Sequence, residues 1–255
     1  KTMLARRLPS ILPPLAPEHA LEAARVAARA GHATGGVALE PPFRSPHPAA
    51  TAAALLGSRR NGAGDLALAH HGVLLLDELG DFSAGALEAV RRALDERTVP
   101  AAGSPDGVLP ARFQLLATAR PCACGSEDGC SCTAPELRRR ERQLAPLLAR
   151  VELTADLGSG EAASRPRDSA RALALVLAAR RRQAARTGNV LNADLEGATL
   201  ARTAAPDAAA ARALRALPAR ERDRALRLAR TLADLAGSPH VRDSHVREAA
   251  TLHAR

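Results

Sequence analysis

Apolar positions follow two regimes along the chain. Up to about residue 153 they form short continuous runs broken by turn residues; beyond it they recur every three or four positions. The run at 72–76 (GVLLL) is apolar throughout and ends at Asp77-Glu78. That pattern predicts a strand covered on both faces, as in a parallel sheet. Residues 113–117 (FQLLA) predict a second buried strand. Helical period marks 18–30 (EHALEAARVAARA), which stops at Gly31, and 83–97, with Ser83 as cap. The same period begins at residue 3 but is interrupted by Pro9, Pro13 and Pro14. Residues 31–65, rich in Gly, Pro and Ala, read as loop with short elements. Residues 99–109 carry GSPDG between apolar stretches and predict a hairpin.

Past the linker-like GSGEAASRP at 158–166, every segment is helical: 169–186, 194–203, 205–216, 220–236 and 245–254. A mixed α/β region followed by a helical bundle predicts two domains. The expected division is a core at 1–156, a linker at 157–167 and an all-α domain at 168–255.

Composition changes this picture in three ways. With 255 residues, 46% hydrophobic and 25% charged, the chain can bury a core and is not disordered. Only three aromatic residues, all Phe, argue against recognition by base stacking. No uncharged apolar run is long enough to span a bilayer, and KTMLARRLPS has no signal-peptide character. A soluble, cytoplasmic protein is expected, and the missing initial Met suggests a fragment. The net charge of +9 is uneven: 18 basic against 17 acidic residues in 1–160, and 18 against 10 in 161–255. The Arg-rich part either meets phosphates or lines solvated helix faces; the sequence leaves both open.

Candidate chemistry sits mainly in the first region. Lys1, the chain's sole lysine, and Thr2 could close a phosphate loop of the form G-x-x-x-x-G-K-[ST], where the ammonium reaches phosphate and the hydroxyl binds Mg²⁺. A strand ending in Asp77-Glu78 fits the carboxylate that holds Mg²⁺, with the adjacent glutamate free to polarise water. Together the pair favours nucleotide over a strand that merely ends in an acidic turn. Cys122, Cys124, Cys130 and Cys132, spaced C-x-C-x5-C-x-C, offer four soft ligands for one tetrahedral Zn²⁺. A redox pair and four uncoordinated thiols remain alternatives. His70-His71 has no carboxylate at ligand spacing and is expected to pack and hydrogen-bond under the nucleotide site. Neither a Ser-His-Asp nor a Cys-His constellation is suggested by local spacing.

The runs GDLALAHHGVLLLDELGDFSAGALEAVRRALDE (64–96), PFRSPH (42–47) and PARFQLLATARPCACG (110–125) resemble the magnesium-chelatase-like AAA+ ATPases, most closely the ComM/YifB branch. The resemblance spans nearly the whole chain. It implies an AAA+ P-loop core, a parallel sheet with flanking helices and an inserted hairpin, followed by an all-α C-terminal lid. It implies ATP as ligand, with Lys1 and Thr2 ending Walker A, and Asp77 and Glu78 forming Walker B. Arg150, in APLLARVEL, matches the arginine finger offered to a neighbouring subunit, and Arg220, in LPARERDRALRLARTLADLAG, the sensor 2 arginine, with Arg224 as its substitute one turn on. A hexameric ring acting on DNA during natural transformation is the implied assembly; a magnesium-chelatase-type motor subunit is the alternative. Three positions depart from the family. Arg120 stands where it has the sensor 1 asparagine, Pro48 where it has a second histidine, and Ala149 where an aspartate precedes the finger. Slowed hydrolysis, or a nucleotide-binding subunit with impaired turnover, is the expectation attached to Arg120.

Overall fold

A computed structural model describes residues 1–32, 36–59, 62–101, 107–120, 122, 124, 129–157, 168–188 and 190–252. The chain divides into two units, 1–151 and 152–255. In chain order the first runs α1 (Thr2–Arg6), α2 (Pro17–Arg29), β1 (Phe43–Arg44), α3 (Ala52–Leu56), β2 (Gly57–Ser58), β3 (Gly62–Ala63), α4 (Asp65–Leu68) and β4 (Val73–Leu76). It continues with α5 (Ala84–Glu96), β5 (Thr98–Pro100), β6 (Val108–Pro110), β7 (Gln114–Ala117) and α6 (Ala134–Leu148).

Strands β1, β4 and β7 form a parallel sheet in that spatial order, with Phe43 opposite Val73 and Leu76 opposite Ala117. The uninterrupted apolar run becomes β4, buried at all four residues between the other two strands. Gly72 is what lets it start there. Val73 N–H donates to the Pro42 carbonyl at 2.8 Å, and a Cβ on Gly72 would overlap that same oxygen. Helix α5 begins where Ser83 Oγ accepts the Ala86 N–H, and it turns Ala86, Leu87, Val90 and Ala93 inward. These meet Leu66, Leu74, Leu76 and Phe82 in the main core.

The predicted hairpin is present as β5 antiparallel to β6, with its 102–106 tip outside the described residues. Two expectations need correction. β7 is only half-buried, because among the described strands it has a neighbour on one side alone. Helix α6 was not expected at all. Its LRRRERQL stretch masks a narrow apolar stripe, of which only Leu144 and Leu147 are buried. A capping box between Thr133 and Glu136 fixes its start, and that four-residue signature is its sequence signal.

The second unit contains α7 (Ser169–Thr187), α8 (Gly197–Ala204), α9 (Ala208–Ala216), α10 (Ala219–Leu235) and α11 (Asp243–Thr251) around Leu200, Ala229, Ala233 and Val241. Two helices start later than their periodicity predicts. Leu195 is extended, delaying α8, and Ala205 is left-handed at φ 45°, so α9 waits for the Asp207 cap. Residues before the predicted linker already belong here: Thr154 N–H bonds the Leu252 carbonyl at 3.0 Å. The predicted linker at 158–166 lies outside the described residues. Inside α10, Arg230 and Asp234 are fully buried as an ion pair at 3.1 Å. Asp234 also takes both Arg186 nitrogens at 2.7 Å and the Asn192 amide at 2.9 Å. Arg230 also donates to the Ser238, Pro239 and Ala204 carbonyls at 2.7, 2.9 and 3.3 Å. Among the described residues, no helix is long and apolar enough to cross a membrane.

Candidate functional site

The carboxyl ends of β4 and β7 open side by side, and α1 reaches the same place. Thr2 Oγ1 donates to Asp77 Oδ1 at 2.9 Å, across 75 positions of chain. Thr118, directly after β7, donates its hydroxyl to that oxygen at 2.7 Å. The Thr118 hydroxyl in turn accepts the Glu78 N–H at 2.9 Å, and its carbonyl accepts Leu79 N–H at 2.7 Å. Lys1 Nζ donates to the Ala119 carbonyl at 2.9 Å. Thus Lys1, Thr2, Asp77 and Glu78 gather at one strand-end crevice, the location where open α/β sheets bind ligands. Buried Thr118 is the residue that sequence reasoning missed; a hydroxyl ending the strand beside the acidic one was its only signal.

Glu78 sits in the left-handed region at φ 57°, ψ 61°, a conformation that costs a non-glycine residue on the order of 1–2 kcal/mol. The twist turns its side chain toward Arg120, whose Nε donates to Glu78 Oε2 at 2.7 Å. Arg120 also reaches Asp81 at 3.2 Å. The hydrogen bond to Glu78 holds the Arg120 guanidinium further into its charged form. The arginine that replaces the family's asparagine therefore occupies the carboxylate expected to handle water.

Arg150 stands apart from this cluster. It forms a two-pronged pair with Asp95, near the far end of α5, at 2.8 and 3.1 Å, and Arg91 joins the same carboxylate at 2.6 Å. Arg150, with Arg91 behind it, pulls the Asp95 carboxyl below its ordinary value. Arg220 belongs to the second unit, in the first turn of α10; its side chain is 87% exposed, with Glu221 3.6 Å away. Arg224, on the next turn, faces Glu152 at 3.6 Å.

The four cysteines are brought together between β7 and α6, their sulfurs all within 4.8 Å of one another. His70-His71 calls for two corrections. A carboxylate does partner them: Glu22 of α2 lies 2.7 Å from His71 Nε2 and 3.3 Å from His70 Nε2. They also precede β4 whereas Asp77 follows it, so the length of that four-residue strand, about 13 Å, lies between them and the acidic crevice. His70 Nδ1 accepts the Arg112 N–H at 3.1 Å, which puts the ring proton of the neutral form on Nε2, aimed at Glu22. That atom has no lone pair left for a metal, so the trio works as a clamp joining α2 to the sheet. Burial first, then the neighbouring His71, pushes the His70 pKa down to about 4. The hydrogen bond from His71 leads those that hold Glu22 below the usual carboxylate range.

A parallel sheet with acidic residues at its carboxyl edge, flanking helices, an inserted hairpin and a separate all-α unit define an AAA+ P-loop architecture. The chain belongs to the magnesium chelatase subunit ChlI family: that family's model matches residues 1–164, and the model of its C-terminal region matches 166–253. It is 40% identical to an uncharacterized Mycobacterium tuberculosis protein over 93% of the chain and 51% of that relative. It is 34% identical to YifB of Salmonella typhimurium over the whole chain and 54% of YifB. It is 32% identical to the competence protein ComM of Haemophilus influenzae over 98% of the chain and 52% of ComM. These relatives place it in the ComM/YifB branch, and the chain spans about half their length.

Proposed function

We propose that the chain is the ATP-hydrolysing motor module of a ring. One observation carries the reading: Thr2 and Asp77, 75 positions apart, meet at 2.9 Å at the carboxyl edge of a parallel sheet, beside Lys1 and Glu78. A hydroxyl and a carboxylate are hard oxygen donors, the set that suits magnesium. When bound there, Mg²⁺ would neutralise charge gathering on the phosphate oxygens. Lys1 would place its ammonium on the same phosphates. Asp77 is oriented for ligation by two hydroxyl donors, so its carboxylate need not reorganise. Glu78 would take the proton of the water that attacks the γ-phosphorus, which it can do only after exchanging Arg120 for that water.

Arg150 would act in trans, bringing a permanent charge to a neighbour's transition state, and Arg220 would sense the γ-phosphate from the all-α domain. That assignment requires a ring, for which a hexamer is the family's usual form. DNA is the substrate favoured by the ComM-like branch, and the basic excess of residues 161–255 is compatible with it. Zinc on Cys122, Cys124, Cys130 and Cys132 would be a second, structural metal.

The test is ATP turnover by the full-length protein with and without single- and double-stranded DNA. Glu78→Gln should retain ATP binding and lose about 100-fold or more in kcat; unchanged turnover in that variant removes the motor reading. Turnover indifferent to DNA, with a chelatase co-purifying, would mark the chelatase-type subunit instead. The Arg120–Glu78 ion pair supports one further reading, a nucleotide-binding subunit with impaired turnover. It predicts tight ATP binding without phosphate release.

A further inference from the structure

We propose that Cys122, Cys124, Cys130 and Cys132 hold one zinc ion that braces the segment between β7 and α6 against the acidic turn 77–81. The metal site stands on the thiols alone; the consequence for Glu78 rests on the nucleotide reading. Cys122 Sγ lies 3.1 Å from Cys124 Sγ, and Cys124 Sγ lies 3.8 Å from Cys130 Sγ, with all four within 4.8 Å. Zinc–sulfur bonds of about 2.3 Å at tetrahedral angles space the sulfurs about 3.8 Å apart. The four therefore need to shift by only about 1 Å to become ligands. Cys124 N–H donates to Cys132 Sγ at 3.3 Å, a backbone donor of the kind that stabilises a coordinated thiolate. Soft sulfur selects zinc over magnesium or calcium, and four thiolates leave no open position for water. Such a site is structural.

What it would stiffen follows from the contacts on either side. Upstream of Cys122, Thr118 bonds Asp77 and the Glu78 and Leu79 amides, and Arg120 bonds Glu78 and Asp81. Downstream of Cys132, Thr133 starts α6, which returns to the same turn. Gln143 donates to the Phe82 carbonyl at 2.8 Å, and the Arg140 guanidinium lies against Gly80, where a Cβ would overlap it. The chain thus leaves the acidic turn and comes back to it, with the four cysteines in the span between. Cross-linking an 11-residue loop there removes conformational freedom from a segment anchored at both ends. Zinc would in this way fix how Arg120 and Thr118 address Asp77 and Glu78.

The experiment uses the full-length protein purified without chelators. Metal analysis should find about one zinc per chain, falling about tenfold in Cys124→Ser/Cys130→Ser. Amide hydrogen exchange then compares zinc-loaded wild type with the chelator-stripped and the reloaded protein. Stripping should speed exchange about tenfold or more in 129–136 and also at the Glu78 and Leu79 amides, and reloading should restore both. Wild-type zinc no higher than in the double variant, in a chain with native helical content, overturns the site. Faster exchange confined to the cysteine loop overturns the brace. Neither readout needs ATP, so a protein that binds no nucleotide still reports on the metal. Should the double variant fail to fold, cobalt reloading of stripped wild type is decisive: tetrahedral thiolate coordination gives intense visible d–d bands and near-ultraviolet sulfur-to-cobalt charge transfer whose strength grows with each thiolate, and a spectrum no stronger than that of hydrated cobalt overturns the site.

Discussion

A single departure from the family decides most at the scale of residues. An asparagine at position 120 would offer water a neutral amide; arginine instead neutralises Glu78 through a 2.7 Å bond and adds Asp81. A carboxylate proposed as general base is, while paired to that guanidinium, blocked from water. Arg120→Asn should therefore raise kcat for ATP about tenfold while leaving KM nearly unchanged. Steady-state ATPase measurements on the full-length protein check this, and an equal or lower kcat would show that Arg120 aids turnover. A second residue-scale effect belongs to His70, whose folded-state pKa of about 4 lies below the 6.5 of the unfolded chain. Between those values the unfolded chain binds a proton that the folded one refuses, so stability is full above pH 6.5 and drains away toward pH 4. The loss is on the order of 2–3 kcal/mol. His70→Gln, which keeps a donor toward Glu22, should flatten the dependence of melting temperature on pH across that window. A slope identical to wild type would place the acid sensitivity elsewhere. Asp77 and Glu78 were legible because a buried strand has to end where they stand. Glu22 was not, since 48 residues of chain hide its approach to His70, and local spacing carries no record of such a contact.

Elements were legible where one rule governed them and obscure where two competed. Strand β4 and helix α5 each satisfy pattern, cap and burial at once, and both lie within a residue or so of their predicted bounds. Helix α6 hides because six of its fifteen residues are charged, which dilutes the apolar period to two buried leucines. Helices α8 and α9 keep their period through residues whose backbones are not helical, so pattern alone overshoots their starts. The bundle's central ion network was equally hidden, because Arg230 and Asp234 look like one more surface i, i+4 pair on an Arg-rich helix. Burial reverses the energetics. Asp234→Ala leaves Arg230 charged and enclosed and also deprives Arg186 and Asn192 of their partner, so it should destabilise the second unit by about 3–5 kcal/mol. A truly superficial pair would cost under about 1 kcal/mol, and urea unfolding distinguishes the two. Gly72→Ala tests the sheet in the same way. The added methyl meets Pro42 backbone, which cannot swing aside as a side chain would, so a loss of about 2–4 kcal/mol is expected in the first unit. A change below about 0.5 kcal/mol would mean that β1 and β4 do not approach as closely as described.

At the scale of the whole molecule, the proposed motor has its parts distributed. The crevice of Lys1, Thr2, Asp77 and Glu78 is assembled within one chain, whereas Arg150 is held away from it by Asp95. An arginine that served its own crevice would have no reason to be stationed at the far end of α5. One offered to a neighbour must be presented at a distance and in a fixed pose, and a two-pronged carboxylate partner supplies both. Because the pair is part-exposed and screened by solvent, it is easily broken, so Asp95 can release the guanidinium when a subunit interface forms. This arrangement predicts complementation. Arg150→Ala and Glu78→Gln full-length proteins should each be inactive alone, the first lacking the charge it donates and the second the base it uses. Mixed at equal amounts, they should recover a measurable share of wild-type turnover. In a mixed ring some interfaces join the Arg150 of a Glu78→Gln subunit to the intact crevice of an Arg150→Ala subunit. Activity at those interfaces requires the finger to cross between chains. If the mixture stays as inactive as its components while still assembling, Arg150 works on its own crevice or not at all, and the need for a ring disappears with it.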